Sequence, residues 1–316
     1  MKILVTGSSG FIGFHLCKKL LELGHEVAGL DNHSDYYDVK LKESRLNHFN
    51  NENFSFYLCD IKNISSINGK FDFAINLAAQ AGVRVKKENE HLYQSTNIDG
   101  FKYFCKYCAN QNIKNIIYAS SSSVYSDERN QAFHEKETKI SPKSMYGLSK
   151  LENEIFAQKF SKSYGLNMLG LRFFSVYGPW GRPDMAYFSF TKSLYNRSKI
   201  YLHNHGTMKR DMTYIDDVID GIIRSINYLL QKNNEPNHEV FNLGNNKPVE
   251  TAYLLSKLEK LTGLKGNIIH KKTSNESLFT QADLTKAKSL LGYNPQYDFN
   301  VGINNFFKWY KDYEGI

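Results

Sequence analysis

The sequence of 316 residues predicts an α/β fold, in which a doubly wound parallel sheet is joined to a smaller C-terminal α/β lobe. Three observations support this prediction. Short apolar segments alternate with segments of helical spacing, a glycine-rich turn follows the first apolar segment, and the alternation is lost after Ser175. Strands that alternate with helices form βαβ units, whose strands lie parallel. A chain of this length can bury one main core and a second lobe.

The predicted elements follow from hydrophobic spacing, with period two for strands and 3.6 for helices. Strands buried on both faces appear as continuous apolar runs, as residues 115–118 do. We predict strands at residues 2–6, 25–30, 54–58, 71–77, 114–119, 166–174 and 241–243, and helices at residues 11–23, 92–111, 145–164, 188–197, 251–262 and 304–313.

The net charge of +8 favours an anionic partner. No run of five basic residues occurs, so we expect no nucleic acid partner and favour a phosphorylated small molecule. The pair Cys105 and Cys108 lacks a second ligand pair, so no metal site is expected. No apolar run reaches about 18 residues, and the first residues run directly into a strand. We therefore expect a cytoplasmic protein without membrane contact.

A glycine-rich turn, G-x-x-G-x-x-G, lies between the first strand and the first helix. Gly7 allows the tight turn, Gly10 lets the backbone approach a pyrophosphate, and Gly13 permits close packing of helix on strand. Since strand and helix flank this motif in the right order, it predicts a Rossmann dinucleotide site. We assign residues 1–174 to this domain, with 211–245 returning to it. Residues 175–210 and 246–316 form mainly the substrate-binding lobe.

Acidic residues end the next two strands. Asp31 is placed to bind the adenosine ribose hydroxyls and to repel a 2′-phosphate, which favours NAD over NADP. The alternative is an Asp that caps a helix or a turn. Asp60 is a candidate for the adenine edge or, alternatively, an ordinary loop residue.

The motif Y-x-x-x-K places Tyr146 and Lys150 one turn apart on the same helical face. A phenol normally ionises near pH 10, but a neighbouring ammonium and a positive nicotinamide ring favour phenolate. Tyr146 can then act as a general base and later as a general acid. The serines at 120–123 follow a strand at the sheet edge where ligands of such folds bind, and a hydroxyl there can relay the proton. A surface helix pair is the alternative reading of the motif.

Four long blocks carry a family resemblance: residues 76–84, 118–125, 171–185 and 209–218. On these, nearly the whole chain resembles the extended short-chain dehydrogenases/reductases, and among them the nucleotide-sugar epimerases nearest to those acting on UDP-glucuronate. The resemblance implies bound NAD, a UDP-sugar substrate, a transient 4-keto intermediate and a homodimer. The helices at 92–111 and 145–164 resemble the pair that forms the dimer interface in this family.

The resemblance also implies residue roles. It identifies Ser121 as the catalytic serine and Arg182 as a binder of the substrate carboxylate, while Ser175 stands where the uronate branch has Thr. Ser122 and Ser123 stand where related dehydratases and decarboxylases carry an acidic residue, which argues against both reactions. Arg84 and Arg210 are candidates to hold diphosphate or sugar, and the alternative for each arginine is a surface or interdomain salt bridge. The chain departs from the family pattern at Ser126 and at 273–281, so an altered sugar stays open.

The complete predicted site falls into three groups. The catalytic residues are Tyr146, Lys150 and Ser121; the cofactor-binding residues are Gly7, Gly10, Phe11, Ile12, Gly13, Asp31, Asn32, Asp60, Ile61, Leu77, Ala78, Ala79, Gln80, Tyr146 and Lys150; the substrate-binding residues are Arg84, Ser121, Ser122, Ser123, Ser175, Arg182 and Arg210. The alternative functions are 4-epimerisation of another UDP-sugar, of the glucose or N-acetylglucosamine type, UDP-glucuronate decarboxylation, and a catalytically silent dinucleotide sensor.

Overall fold

The computed structural model describes residues 1–83, 87–125, 131–137, 140–232, 236–272 and 277–316. Its strands are β1 (Lys2–Thr6), β2 (Glu26–Asp31), β3 (Phe54–Leu58), β4 (Phe73–Asn76), β5 (Asn115–Ser121), β6 (Asn167–Phe173), β7 (Ser175–Tyr177), β8 (Lys199–His203), β9 (Lys209–Tyr214), β10 (Asn237–Leu243), β11 (Pro248–Glu250) and β12 (Asn267–Lys271). Its α-helices are α1 (Phe11–Glu22), α2 (Val39–Leu46), α3 (Phe101–Asn110), α4 (Met145–Tyr164), α5 (Ala186–Tyr195), α6 (Ile215–Gln231), α7 (Thr251–Thr262) and α8 (Phe299–Glu314).

Seven strands form one parallel sheet in the order β10-β6-β5-β4-β1-β2-β3, which confirms the predicted fold class. The strand order reverses between β1 and β4. There Thr6 lies opposite Asn76 and Leu30, and its hydroxyl donates to Asn76 Oδ1 at 2.6 Å. The loops after these strands therefore open at one edge of the sheet, where ligands of open α/β folds bind.

The sheet has a buried core on each face, as alternation along its central strand requires. Ile3 and Val5 belong to the core beneath α1 and α6, whereas Leu4 belongs to the core beneath α3 and α4. Both faces are covered by helices, which explains why the strands appear in the sequence as continuous apolar runs.

The structure differs from the predicted elements in several places. The predicted helix at 92–111 is divided into a π-helical segment, Tyr93–Gly100, and α3, because i→i+5 hydrogen bonding is not encoded in a 3.6-residue spacing. Strand β5 runs on to Ser121 instead of stopping at residue 119. Helices α2 and α6 and the strands of the smaller sheets were not predicted.

Two smaller sheets lie outside the main one. One has the order β11-β9-β7, and the other pairs β12 with β8. On this topology we propose the domain division predicted above, with the boundary at residue 211 falling inside β9. Within the described ranges, no helix is both long and apolar enough to cross a membrane.

A buried ion pair ties α4 to three strands of the main sheet. Arg172 donates to both carboxylate oxygens of Glu154, at 2.8 and 2.7 Å. Glu154 also accepts a hydrogen bond from Ser120 at 2.5 Å, and Arg172 Nη1 donates to the Tyr125 hydroxyl at 2.7 Å. The Tyr125 hydroxyl donates in turn to Asn242 Oδ1 at 2.7 Å. This network fixes the helix that carries Tyr146 and Lys150 against the end of β5.

We expect Glu154→Ala to lower the free energy of unfolding by about 3–5 kcal/mol, because it leaves the Arg172 charge buried and unpaired. Equilibrium urea unfolding measures this loss. The control is Glu22→Ala, which breaks an ion pair of 3.6 Å between side chains that are 46% and 51% exposed. Its cost should stay below about 1 kcal/mol. Equal losses for the two variants would refute the structural importance of the buried pair.

Candidate active site

The glycine-rich turn forms a cradle at the end of β1. Gly7 has φ of +71°, and a Cβ there would lie 2.7 Å from the Ala78 nitrogen. A Cβ at Gly13 would lie 2.0 Å from the Gly7 carbonyl oxygen, so the helix could not approach the turn with a larger residue. The N-cap residue of α1 is Gly10, which has no side chain to cap the helix. The first N–H groups of α1, beginning at the buried Phe11 and the partly buried Ile12, can therefore donate to a pyrophosphate. The cradle fits a dinucleotide.

Asp31 ends β2 as predicted and is held from three sides. Its carboxylate accepts hydrogen bonds from the backbone N–H groups of Ser9, at 3.2 Å, and His33, at 2.9 Å. The buried Lys42 ammonium lies 3.9 Å from Oδ1. The carboxylate is thus held at the rim of the glycine turn, which favours the ribose interpretation.

Asp60 caps a short helical turn, since its Oδ1 accepts from the Lys62 N–H at 2.9 Å. Its other oxygen accepts from Asn32 Nδ2 at 3.0 Å, which brings Asn32 and Asp60 together beyond the ends of β2 and β3. The alternative of a loop residue with a capping role therefore holds for this carboxylate, and its adenine contact stays a prediction. Ile61 is buried in the turn that Asp60 caps.

Residues 77–80 follow β4 and form the opposite wall of the glycine cradle. Leu77 and Ala78 lie against Gly7, and the Ala78 N–H donates to the Thr6 hydroxyl at 3.2 Å. Ala79 is half-buried beside them, and Gln80 is buried. These positions are compatible with the predicted cofactor contacts.

Tyr146 and Lys150 face the end of β5 from α4. Lys150 is 1% exposed, and its ammonium donates to the Ala119 carbonyl at 3.0 Å and lies 5.8 Å from the centre of the Tyr146 ring. The Tyr146 hydroxyl lies close enough to the Ser121 side chain for this neighbour to lower the pKa of the phenol. Gly147 permits this arrangement, since a Cβ there would lie 2.2 Å from the Ser123 carbonyl oxygen. The three predicted catalytic side chains are therefore brought together.

The electrostatics of Tyr146 differ from the prediction. Burial raises the pKa of the phenol above its usual value of 10.0, and this outweighs the lowering by the Arg182 guanidinium and the Ser121 hydrogen bond. The lowering of the phenol pKa that was expected from Lys150 comes instead from Arg182. Burial also lowers the pKa of Lys150 to about 8. A positive nicotinamide ring would add a cation that favours phenolate.

Arg182 lies in the loop after β7, next to Tyr146. Its Nε and Nη2 donate to Asp184 at 3.0 and 2.5 Å. The Tyr36 hydroxyl donates to the same carboxylate at 3.2 Å. Arg182 also lies close enough to Tyr146 for its charge to lower the pKa of the phenol, but one edge of its guanidinium already binds a carboxylate of the chain.

The remaining predicted substrate residues are distributed around the cleft. Ser122 and Ser123 form a short turn after Ser121, and the Ser123 N–H donates to Ser121 Oγ at 3.1 Å. Ser175 begins β7 and is half-buried, and Arg210 is partly buried on β9. Arg84 and residues 126 and 273–276 lie outside the described residues.

The sequence matches the NAD dependent epimerase/dehydratase family over residues 3–244. The chain belongs to this family. UDP-glucuronate 4-epimerase 2 of Arabidopsis thaliana is 38% identical over 331 residues, covering 99% of this chain and 76% of that protein. Protein CapI of Staphylococcus aureus is 39% identical over 344 residues, covering 99% of each.

Among solved structures, UDP-glucuronic acid 4-epimerase from Bacillus cereus, in complex with UDP-glucuronic acid and NAD, superposes with a TM-score of 0.89. It is 32% identical in sequence and covers 99% of this chain and 100% of that chain. MoeE5 in complex with UDP-glucose and NAD superposes with a TM-score of 0.86 at 25% identity, covering 99% of this chain and 100% of that chain. The expected family, enzyme class and NAD cofactor are confirmed at the level of this epimerase/dehydratase family.

The sequence analysis did not find Asn97, which joins residues 77–80 to helix α4. The buried Asn97 accepts from the Gln80 N–H at 2.7 Å and donates to the Gln80 carbonyl at 3.2 Å. It also donates to Ser149 Oγ at 3.0 Å, and Ser149 donates to the Tyr146 carbonyl at 2.7 Å. The only signal in the sequence is a polar residue inside an otherwise helical stretch.

A second missed residue is Arg45, which is fully buried and donates to main-chain carbonyls from two loops. It contacts the Ser9 carbonyl at 2.9 Å, the Trp180 carbonyl at 2.6 Å and the Gly181 carbonyl at 3.1 Å. The glycine turn and the loop that carries Arg182 are therefore joined by one cation.

The low pKa of Lys150 predicts a pH-dependent stability. Between about 8 and 10.5 the unfolded chain holds a proton on this amine that the folded NAD-free protein has released, so the free energy of unfolding rises with pH there. Lys150→Met should abolish turnover yet stabilise the NAD-free protein by up to about 3 kcal/mol at pH 7, and this gain should fade as the pH approaches 10.5. Urea unfolding at several pH values measures both effects.

The control is Lys19→Met, at a side chain that is 46% exposed. It should change the free energy of unfolding by less than about 0.5 kcal/mol at every pH. A Lys150→Met protein that is less stable than the parent at pH 7 would contradict the free-energy cost of burying this ammonium. So would a difference in unfolding free energy between the two proteins that does not vary with pH.

Proposed function

We propose that the chain is an NAD-dependent 4-epimerase that interconverts UDP-glucuronate and UDP-galacturonate. The observation that carries the proposal is the guanidinium of Arg182 beside the Tyr146–Ser121 pair, at the sheet edge that holds the dinucleotide cradle. The names of the Arabidopsis and Bacillus cereus relatives support this substrate.

In the proposed reaction Tyr146 removes the proton from the 4-hydroxyl of the sugar, while Ser121 donates a hydrogen bond to the same oxygen. NAD, when bound, accepts the hydride from C4 and returns it. The 4-keto sugar rotates in the cleft and presents its other face to the cofactor site. Tyr146 gives the proton back to the 4-oxygen when the hydride returns to C4. The Arg182 guanidinium and the positive nicotinamide ring of bound NAD would favour the ionised phenol during the first half of the cycle, while the hydrogen bond to the Ala119 carbonyl fixes Lys150 beside them.

A 4-keto uronate is a β-keto acid, so the enzyme must retain its carboxylate. The Arg182 edge that includes Nε binds Asp184, and we propose that the substrate carboxylate binds the other edge, at Nη1. Ser122 and Ser123 supply hydroxyls where an acidic residue would assist further proton chemistry. Arg210 and Arg84 are proposed to hold the diphosphate.

A specific observation favours a second candidate, the 4-epimerisation of a neutral UDP-sugar such as UDP-glucose. Asp184 already balances the charge of Arg182, so the described cleft presents little net positive charge to a uronate at this point. The MoeE5 neighbour was solved with UDP-glucose and also with UDP-glucuronic acid, so it is consistent with either candidate.

The two candidates are separated by a panel of UDP-sugars with products identified by NMR. We expect UDP-glucuronate to give UDP-galacturonate. Arg182→Ala should lower the ratio of kcat/KM for the uronate to kcat/KM for a neutral UDP-sugar by about tenfold to a hundredfold, because a charge-assisted hydrogen bond to the carboxylate is lost. The accompanying rise in the pKa of Tyr146 slows every sugar alike and leaves this ratio unchanged. The matched control, Arg210→Ala, should weaken turnover of every UDP-sugar alike.

If UDP-glucuronate is inert while UDP-glucose is epimerised, the substrate assignment is wrong and the second candidate holds. Release of carbon dioxide with a pentose product would instead identify a decarboxylase. A parent protein that retains NAD but turns over none of the UDP-sugars would indicate the silent dinucleotide sensor.

We also propose that two copies of the chain pair through α3 and α4. Leu148 and Ile155 lie two turns apart on α4 and are 45% and 48% exposed, and Tyr103 of α3 is 50% exposed. Large apolar side chains clustered on neighbouring helices are typical of a protein interface. A second copy of the same chain would cover them in a closed symmetric contact.

Light scattering after size exclusion tests this pairing. The parent protein should have the mass of a dimer, and Leu148→Glu with Ile155→Glu should have the mass of a monomer, because buried charge disfavours the interface. The control is Leu230→Glu on α6, at a side chain that is 46% exposed, which should remain a dimer. A monomeric parent would refute the proposal.

A further inference from the structure

An acidic side chain holds the Arg182 guanidinium beside the catalytic tyrosine. Asp184 binds both Nε and Nη2 of Arg182, in a two-point pair that fixes the plane of the guanidinium. The Tyr36 hydroxyl, from the loop after β2, donates to Asp184 Oδ2 at 3.2 Å. The carboxylate is 31% exposed, so its charge is only partly screened by water.

This pair is connected to Tyr146 through packed residues. The Tyr93 ring lies 6.2 Å from the Tyr146 ring, and the Tyr93 hydroxyl donates to the Gly82 carbonyl at 2.5 Å. A Cβ at Gly82 would lie 2.1 Å from the Tyr36 hydroxyl and 3.8 Å from Asp184 Oδ2. Segments that follow β2, β4 and β7 therefore converge next to the phenol.

The described groups that face Tyr146 carry opposing charges. From its own helix comes Lys150, from β5 the Ser121 hydroxyl, from the π-helical segment the Tyr93 phenol, and from the loop after β7 both Arg182 and Asp184. Burial raises the pKa of Tyr146, the Arg182 charge lowers it and the Asp184 charge raises it. Arg182 also lowers the pKa of Asp184 despite its burial, so the pair stays ionised across the neutral range.

We propose that Asp184, held by Tyr36, is a positioning residue that acts through Arg182 and sets the balance between the phenol and phenolate forms of Tyr146. A tyrosine that removes a proton and then returns it must not favour either form strongly. Arg182 alone would favour the phenolate, and the paired carboxylate restrains that effect. The same contact fixes the guanidinium, so a substrate carboxylate meets an arginine of set orientation.

The inference rests on the proposed role of Tyr146 as general base, but not on which sugar is epimerised. The test therefore uses the NAD-loaded protein without sugar. Ultraviolet difference absorbance reports tyrosinate formation as the pH is raised, and subtraction of the titration of Tyr146→Phe isolates residue 146. Circular dichroism and the NAD content of each variant verify that it is folded and loaded.

We expect Asp184→Asn to move the ionisation midpoint of Tyr146 to lower pH, because a negative charge near the phenolate is removed. Arg182→Gln should move it to higher pH, and Tyr36→Phe, which retains both charges, should move it less than either. The matched control is Asp220→Asn on α6, which breaks an Asp–Arg pair of 2.6 Å at another site and should leave the midpoint unchanged.

With the sugar that the parent enzyme accepts, the acidic limb of the pH–kcat profile should move in the same direction for each variant. An Asp184→Asn midpoint that is unchanged or higher, in a folded protein with its NAD retained, overturns the proposal. A failed substrate assignment would alter which sugar reacts but would leave the titration result intact.

Discussion

The chemistry of this molecule depends on a parallel sheet whose strands end together. Because β1, β2, β4 and β5 are paired in register, the glycine turn, Asp31, the wall at residues 77–80 and Ser121 open at one edge. These four features come from different parts of the chain, and the parallel pairing of the strands brings them together. Helix α4 then adds Tyr146 and Lys150 from the side, since the buried Glu154–Arg172 pair fixes it against the same strands.

Burial at that edge strengthens the effect of neighbouring charges on the pKa of each group. A phenol and an ammonium that are removed from water both shift toward their neutral forms, as the pKa directions of Tyr146 and Lys150 indicate. The ionised form of Tyr146 consequently depends on nearby cations, one of them Arg182 from the loop after β7. Arg45 connects that loop to the glycine turn, so the residues predicted to bind cofactor and substrate are parts of a single packed unit.

The sequence could predict what is encoded locally. A glycine turn between strand and helix, and a tyrosine and lysine one turn apart, are recognisable because spacing alone determines their geometry. Asn97, Arg45 and Asp184 could not be found in this way. Asn97 meets Gln80 and Arg45 meets the Gly181 carbonyl across 17 and 136 positions of the chain, and Asp184 gains its role only from a folded loop beside Tyr36. The π-helical turn was missed for a related reason, because its hydrogen bonds follow no 3.6-residue pattern.

The central claim is that the proton and the hydride of the sugar C4 centre leave and return separately, the proton through Tyr146 and the hydride through the retained cofactor. The most direct measurement uses the accepted UDP-sugar with deuterium at C4, in ordinary water, and follows the label in both epimers by NMR and mass spectrometry. The account predicts that deuterium stays at C4 in substrate and product over many turnovers. Replacement of the label by solvent hydrogen during epimerisation would contradict it.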